Sequence, residues 1–147
     1  MCIRDRENID LNFSTSTKEE TLNNIAQMAF DLGRVTDKET FFEALCDREK
    51  ESTTGFGNGI AIPHARHNCV KNAGIIFIRC KKEIEWDSLD GEPVKVCLCL
   101  LAPDDKNDLH LKMLSKLARK LMYDDFIEIL KYSPKEDVVK IINEIIL

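Results

Sequence analysis

The chain has 147 residues and a formal net charge of −5, long enough for one domain with a sizeable core. The acidic balance argues against a nucleic-acid binder, which would carry a basic patch or stripe. No apolar run approaches the roughly 20 residues that span a bilayer, and the N-terminus lacks an apolar signal region, so the cytoplasm is the expected compartment.

Met1 to Arg6 has no period and fits nothing that follows. Residues 1–8 are therefore read as a non-native or disordered extension, and residues 9–147 as the domain. Ile9 to Phe13 alternates as a short edge strand. Ser16 or Thr17 opens a helix, with Glu19 and Glu20 spaced to close a capping box. Leu22, Ile25, Ala26 and Ala29 form its buried stripe, and Gly33 stands where a glycine ends a helix. Thr36 opens a second helix, with Glu39 completing its box. Phe41, Leu45 and Arg48 fall on one face of it. The Arg48 stem either runs along the core edge or carries its guanidinium into a site beside the next loop.

That loop runs Ser52-Thr53-Thr54-Gly55-Phe56-Gly57-Asn58-Gly59-Ile60-Ala61-Ile62-Pro63-His64-Ala65-Arg66. Its three alternate glycines allow tight turns and close approach of backbone to an anion. Free N–H groups of Gly55 and Gly57 would cradle a phosphate, or the glycines simply turn the chain. The Ser52 and Thr53 hydroxyls either join that cradle or set the turn. Ile60-Ala61-Ile62 reads as a short strand, and Pro63 stiffens the support that presents His64. Arg66 reads as solvated or at a rim, and His67 as exposed and passive.

Ala73 to Cys80 is the next strand, Glu83 to Asp87 a second extended piece around Trp86, and Asp90-Gly91 a tight turn. Val94 to Leu101 is nearly all apolar, as in a strand buried on both faces. Asn107 or Asp108 caps a helix on which His110, Leu114, Leu117 and Leu121 share a face. His110 is either a hydrogen-bonded core histidine or a group at the anion-welcoming start of that helix. Phe126 to Tyr132 is a short helix. Ser133-Pro134-Lys135-Glu136 starts the last one, with Val138, Ile141, Ile142 and Ile145 inward. The expected fold class is α/β, a single-domain sandwich with a mixed β-sheet flanked by helices.

Six cysteines occur and none form a Cys-x-x-Cys pair; Cys97 and Cys99 point to one side of their strand. Buried free thiols are expected. His64, His67 and Cys69 match no closed zinc pattern, and no nucleotide-binding glycine loop is present, so neither metal nor cofactor is expected.

The order Glu49, six residues, Phe56-Gly57, two residues, Ile60-Ala61-Ile62-Pro63-His64-Ala65 resembles the phosphorylation-site signature of the fructose/mannitol-type (type 2) IIA components of the bacterial phosphoenolpyruvate-dependent sugar phosphotransferase system. The similarity extends from about Leu11 to the C-terminus. It implies that His64 is the phosphoryl acceptor, that Arg48 stands beside it, and that His110, in His110-Leu111 followed by Leu114, is a second functional histidine. It implies a phosphohistidine carrier protein, HPr, as donor and a IIB component as acceptor, with the membrane reached only through a IIC transporter. A fructose-type sugar is expected. The alternative is a regulatory IIA-like protein of the nitrogen-related system, whose phosphorylation state controls partner proteins.

Overall fold

The computed structural model describes residues 8–104 and 109–146, and at 109, 110 and 146 the backbone only. Residues 1–7 of the expected 1–8 extension, and the expected cap at Asn107 or Asp108, lie outside the described residues, while residue 8 is described. Asn8 is buried, and its carbonyl accepts the N–H of Phe77 at 2.9 Å.

Among the described residues eleven elements follow in order: β1 (Ile9–Phe13), α1 (Lys18–Asp31), α2 (Lys38–Glu51), β2 (Gly55–Gly57), β3 (Ile60–Ala61), β4 (His64–His67), β5 (Gly74–Ile84), β6 (Val94–Pro103), α3 (Leu109–Lys120), α4 (Asp124–Tyr132) and α5 (Lys135–Ile146). The sheet has six strands in the order β1-β5-β6-β3-β2, with β4 also on β6. β1 runs parallel to β5, β5 antiparallel to β6, and β3 and β4 parallel to β6. This is the mixed sheet expected, with β1 at an edge.

Alternation along the two central strands makes two cores. Ile76, Ile78, Cys97, Cys99 and Leu101 face α1 and α2, whose Leu22, Ile25, Phe41 and Leu45 meet them. Ile75, Phe77, Val96, Leu98 and Leu100 face the other way, onto Leu117 of α3, Leu121 just past its end, Leu130 of α4, and Val138 and Ile142 of α5. A strand buried on both faces has no polar side to show, which is why β6 reads as a continuous apolar run. Burial pushes the Cys99 thiol well up and raises Cys97 as well.

Several boundaries differ from the sequence reading, and two of them have a clear physical reason. The cap of α2 is Asp37 rather than Thr36: its carboxylate accepts the N–H of Thr40 at 3.0 Å, while the Thr36 N–H bonds the Cys69 carbonyl. And β5 continues through Lys81, Lys82 and Glu83 to Ile84 as one strand of 11 residues. The charges do not end it, because these side chains are exposed where the register with β6 shifts between Arg79 and Ile84.

Candidate functional site

The support of His64 is an interrupted strand. Ile60 pairs with Val96 and His64 with Leu100, the same offset on both sides of Ile62-Pro63. Pro63 has no N–H to give, but its carbonyl takes the N–H of Leu100 at 2.9 Å, so β4 keeps the register of β3. Ile62 turns its polar groups the other way. Its N–H bonds the Thr54 carbonyl at 2.9 Å, and its own carbonyl lies 2.8 Å from Nδ1 of His64.

That contact fixes the tautomer. A carbonyl only accepts, so Nδ1 carries the proton. On the far side of the ring, Arg48 Nε donates to Nε2 at 3.3 Å, which requires a lone pair there. Arg48 is itself held by Nη1, which donates to the Ser52 carbonyl at 2.9 Å and faces the Ser52 hydroxyl at 3.4 Å. Of the two readings of Arg48, its guanidinium stands in the site.

His64 and Arg48 open into a hollow of about 430 Å³. α2 lines it with Ala44, Asp47 and Glu51, β4 with Ala65, Arg66 and His67, and α3 with Leu111 and Leu114. Arg66 is exposed, 3.4 Å from Asp104, and belongs to the rim. His67, expected exposed, is half-buried because its Nδ1 accepts the N–H of Cys69 at 3.0 Å, closing the turn after β4. Burial raises the Cys69 thiol. His110 stands in the first turn of α3, next to Leu111, and its side chain is outside the described residues.

The glycines go elsewhere. Asn58 and Gly59, with φ of 55° and 81°, form a two-residue turn that pairs β2 antiparallel with β3. Gly55 packs against Ser88, where an added Cβ would come within 2.8 Å of the Ser88 Cα. Gly57 faces the Asp90 carboxylate, which also accepts the Asn58 N–H at 2.9 Å. Gly55 and Gly57 are thus not among the residues lining the hollow, and the Thr53 hydroxyl bonds the Gly55 N–H at 3.1 Å. Ser52 reaches the site through its contacts with Arg48.

Glu49 enters the sequence reading only as the first residue of the signature, with no function assigned to it. The Glu49 side chain is 7% exposed and takes Lys18 Nζ at 2.7 Å, the Thr54 N–H at 3.2 Å and the Thr54 hydroxyl. The available signal was its place at i+4 from Leu45, on the buried stripe of α2.

The fold and site define an α/β protein with an unprotonated imidazole nitrogen held beside a guanidinium at the mouth of a hollow, an arrangement suited to an electrophile that carries negative charge. Residues 3–145 match the model of the EIIA 2 family of the phosphoenolpyruvate-dependent sugar phosphotransferase system. The chain belongs to that family, and its role is phosphoryl transfer within that system. It is 36% identical over 141 residues to the fructose-specific EIIA component of Haloferax volcanii, covering 95% of this chain and 92% of that protein. It is 34% identical over 136 residues to the fructose-like EIIA component of Escherichia coli, covering 92% of each. Among solved structures, the nitrogen regulatory protein IIA-Ntr of Neisseria meningitidis superposes with a TM-score of 0.86 at 33% identity, over 97% of this chain and 99% of that one. Among the described residues no helix is long and apolar enough to cross a membrane.

Proposed function

We propose that this chain takes a phosphoryl group onto Nε2 of His64 from the phosphohistidine of the carrier protein HPr and passes it to a IIB component during uptake of a fructose-type sugar. The observation that carries this reading is the double constraint on the ring: the Ile62 carbonyl holds the proton on Nδ1 and leaves the Nε2 lone pair beside Arg48. The fructose assignment draws on the names of the two EIIA relatives.

The Nε2 lone pair attacks phosphorus in line. The P–N bond of the donor breaks, and its electron pair returns to the donor ring. With a proton on its other nitrogen, the donor ring leaves as neutral imidazole, and no proton need move within the step. Positive charge that develops on the His64 ring is met by the Ile62 carbonyl through Nδ1–H. The transferring group spreads negative charge over its equatorial oxygens. Once Nε2 bonds phosphorus, the Arg48 Nε–H loses its acceptor and turns to a phosphoryl oxygen, a charge-assisted bond stronger than the one it replaces. His110 donates a second hydrogen bond from the start of α3. Ser52 and Thr53 hold the loop that seats Arg48, with Gly55 and Gly57 forming its base. Onward transfer to the IIB acceptor reverses the same step. The protein works in the cytoplasm, reaching the membrane only through the IIC transporter, and residues 1–8 take no part.

The test is phosphorylation in vitro by phosphoenolpyruvate, enzyme I and HPr, read by intact mass and site mapping. One acid-labile phosphoryl group on His64 is expected, and none in His64→Ala. Stoichiometric phosphohistidine in His64→Ala would overturn the reading. The likeness to IIA-Ntr favours a second reading, in which the phosphorylation state gates partner proteins of a nitrogen-related system. Failure of phosphorylated protein to discharge onto any fructose-type IIB, with retained binding of a regulatory partner, would decide for it.

A further inference from the structure

Both contacts that define His64 lead back to Glu49. Arg48 hangs on the carbonyl of Ser52, two residues before Thr54. The Ile62 carbonyl that holds Nδ1 belongs to the residue whose N–H bonds the Thr54 carbonyl at 2.9 Å. Thr54 thus stands between the two supports, and Glu49 grips it at both the N–H and the hydroxyl.

That grip is closed into a ring. The Trp86 indole N–H donates to the Thr54 hydroxyl at 3.3 Å, leaving the hydroxyl proton for Glu49. Lys18 Nζ meets Glu49 at 2.7 Å, donates to the Trp86 carbonyl at 3.1 Å, and lies 5.5 Å from the Trp86 ring centre. The Lys18 ammonium balances the Glu49 carboxylate. A buried carboxylate carries a large desolvation cost unless it is paired and hydrogen-bonded, and here its contacts with Lys18 and Thr54 hold Thr54 and Trp86 in place. A loop staple alone needs no charge; an apolar contact would do it. A charged pair with directional bonds sets an orientation.

We propose that Glu49 is a positioning residue for phosphoryl transfer: clamped by Lys18, it fixes Thr54, and through Thr54 both the carbonyl that holds the Nδ1–H tautomer of His64 and the loop that seats Arg48. This rests on His64 as the acceptor. Its effect falls on the chemical step and on the tautomer, with donor binding untouched.

The experiment compares wild type, Glu49→Ala and Glu49→Gln, each checked for folding by circular dichroism. The single-turnover rate with phosphorylated HPr, its dependence on HPr concentration, and the ¹⁵N imidazole shifts of His64 are measured. Glu49→Ala should lose about 10–100-fold in the saturated rate with KM for HPr unchanged, as misplacement of a reacting group does. Its His64 ring should become a mixture of tautomers. Glu49→Gln, which keeps one acceptor for Thr54, should recover part of the rate and of the Nδ1–H signal. If Glu49→Ala does not fold, the Glu49→Gln rate and tautomer carry the test. A folded Glu49 variant with wild-type rate and an unchanged His64 tautomer would overturn the proposal, as would a rate loss without any tautomer change. Absence of phosphorylation in wild type would overturn His64 as acceptor, while the imidazole shifts would still report on Glu49.

Discussion

Arg48 Nε meets Nε2 of His64 at 3.3 Å, from one helix to a strand 16 residues further along. The same guanidinium reaches back to its own helix end, bonding the Ser52 carbonyl at 2.9 Å. One planar side chain therefore joins the end of α2 to the start of β4. A lysine has the charge but not the fork.

Arg48→Lys should leave the fold intact and slow transfer from phosphorylated HPr by about 100-fold, because a point charge on a flexible stem fixes neither His64 nor the phosphoryl oxygens. Rapid-quench measurement of the transfer rate checks this. A wild-type rate would remove Arg48 from the site.

His110→Ala should still fold and still accept phosphate on His64, with onward transfer slowed by about 10–100-fold. The backbone position supports this, since the start of α3 brings Leu111, and the next turn Leu114, to the hollow. Discharge onto a IIB acceptor, followed in both directions, measures it. Unchanged rates both ways would make His110 structural.

Gly55→Ala probes packing. The new methyl would meet the Ser88 hydroxyl and stand 2.8 Å from its Cα, on a buried turn with no room to give. Overpacking of this kind costs about 1–3 kcal/mol, read as a lower denaturation midpoint in urea. The folded fraction should still take phosphate at His64 if the glycine serves packing; a lost label at full stability would return its N–H to the anion site.

Acid should weaken the start of α2. The hydroxyl and the backbone N–H of Thr40 hold the Asp37 carboxyl below the usual carboxylate range. A depressed folded-state pKa contributes stability that is present above the unfolded pKa of about 3.9 and lost as pH falls through the folded value. Thermal melts between about pH 5 and pH 2 should show a shallower decline for Asp37→Asn than for wild type. Parallel declines would remove Asp37 from the acid response.

Much was legible in the chain itself. The stripe of α1 and the apolar run of β6 name their elements, because helix and strand periodicity acts within a few residues. The cap of α1 was legible to within Ser16 or Thr17, and the structure selects Thr17, whose side chain accepts the Glu20 N–H at 3.1 Å. The Asn58-Gly59 turn was equally local. The sequence leaves a turn and an anion cradle both open there, because local spacing does not separate the two.

What the sequence determined by itself is therefore the helices and the long strands, their buried faces and the histidine placed behind a proline. The tertiary structure alone decided what each side chain meets. It set Arg48 against His64, sent Gly55 to Ser88, and closed Lys18 and Trp86 around Glu49 and Thr54, residues as much as 68 positions apart. The reason is physical. Backbone preference is fixed by near neighbours, whereas a side-chain contact is fixed by sheet register and by how a helix seats on the sheet, and both are settled only when the whole core packs.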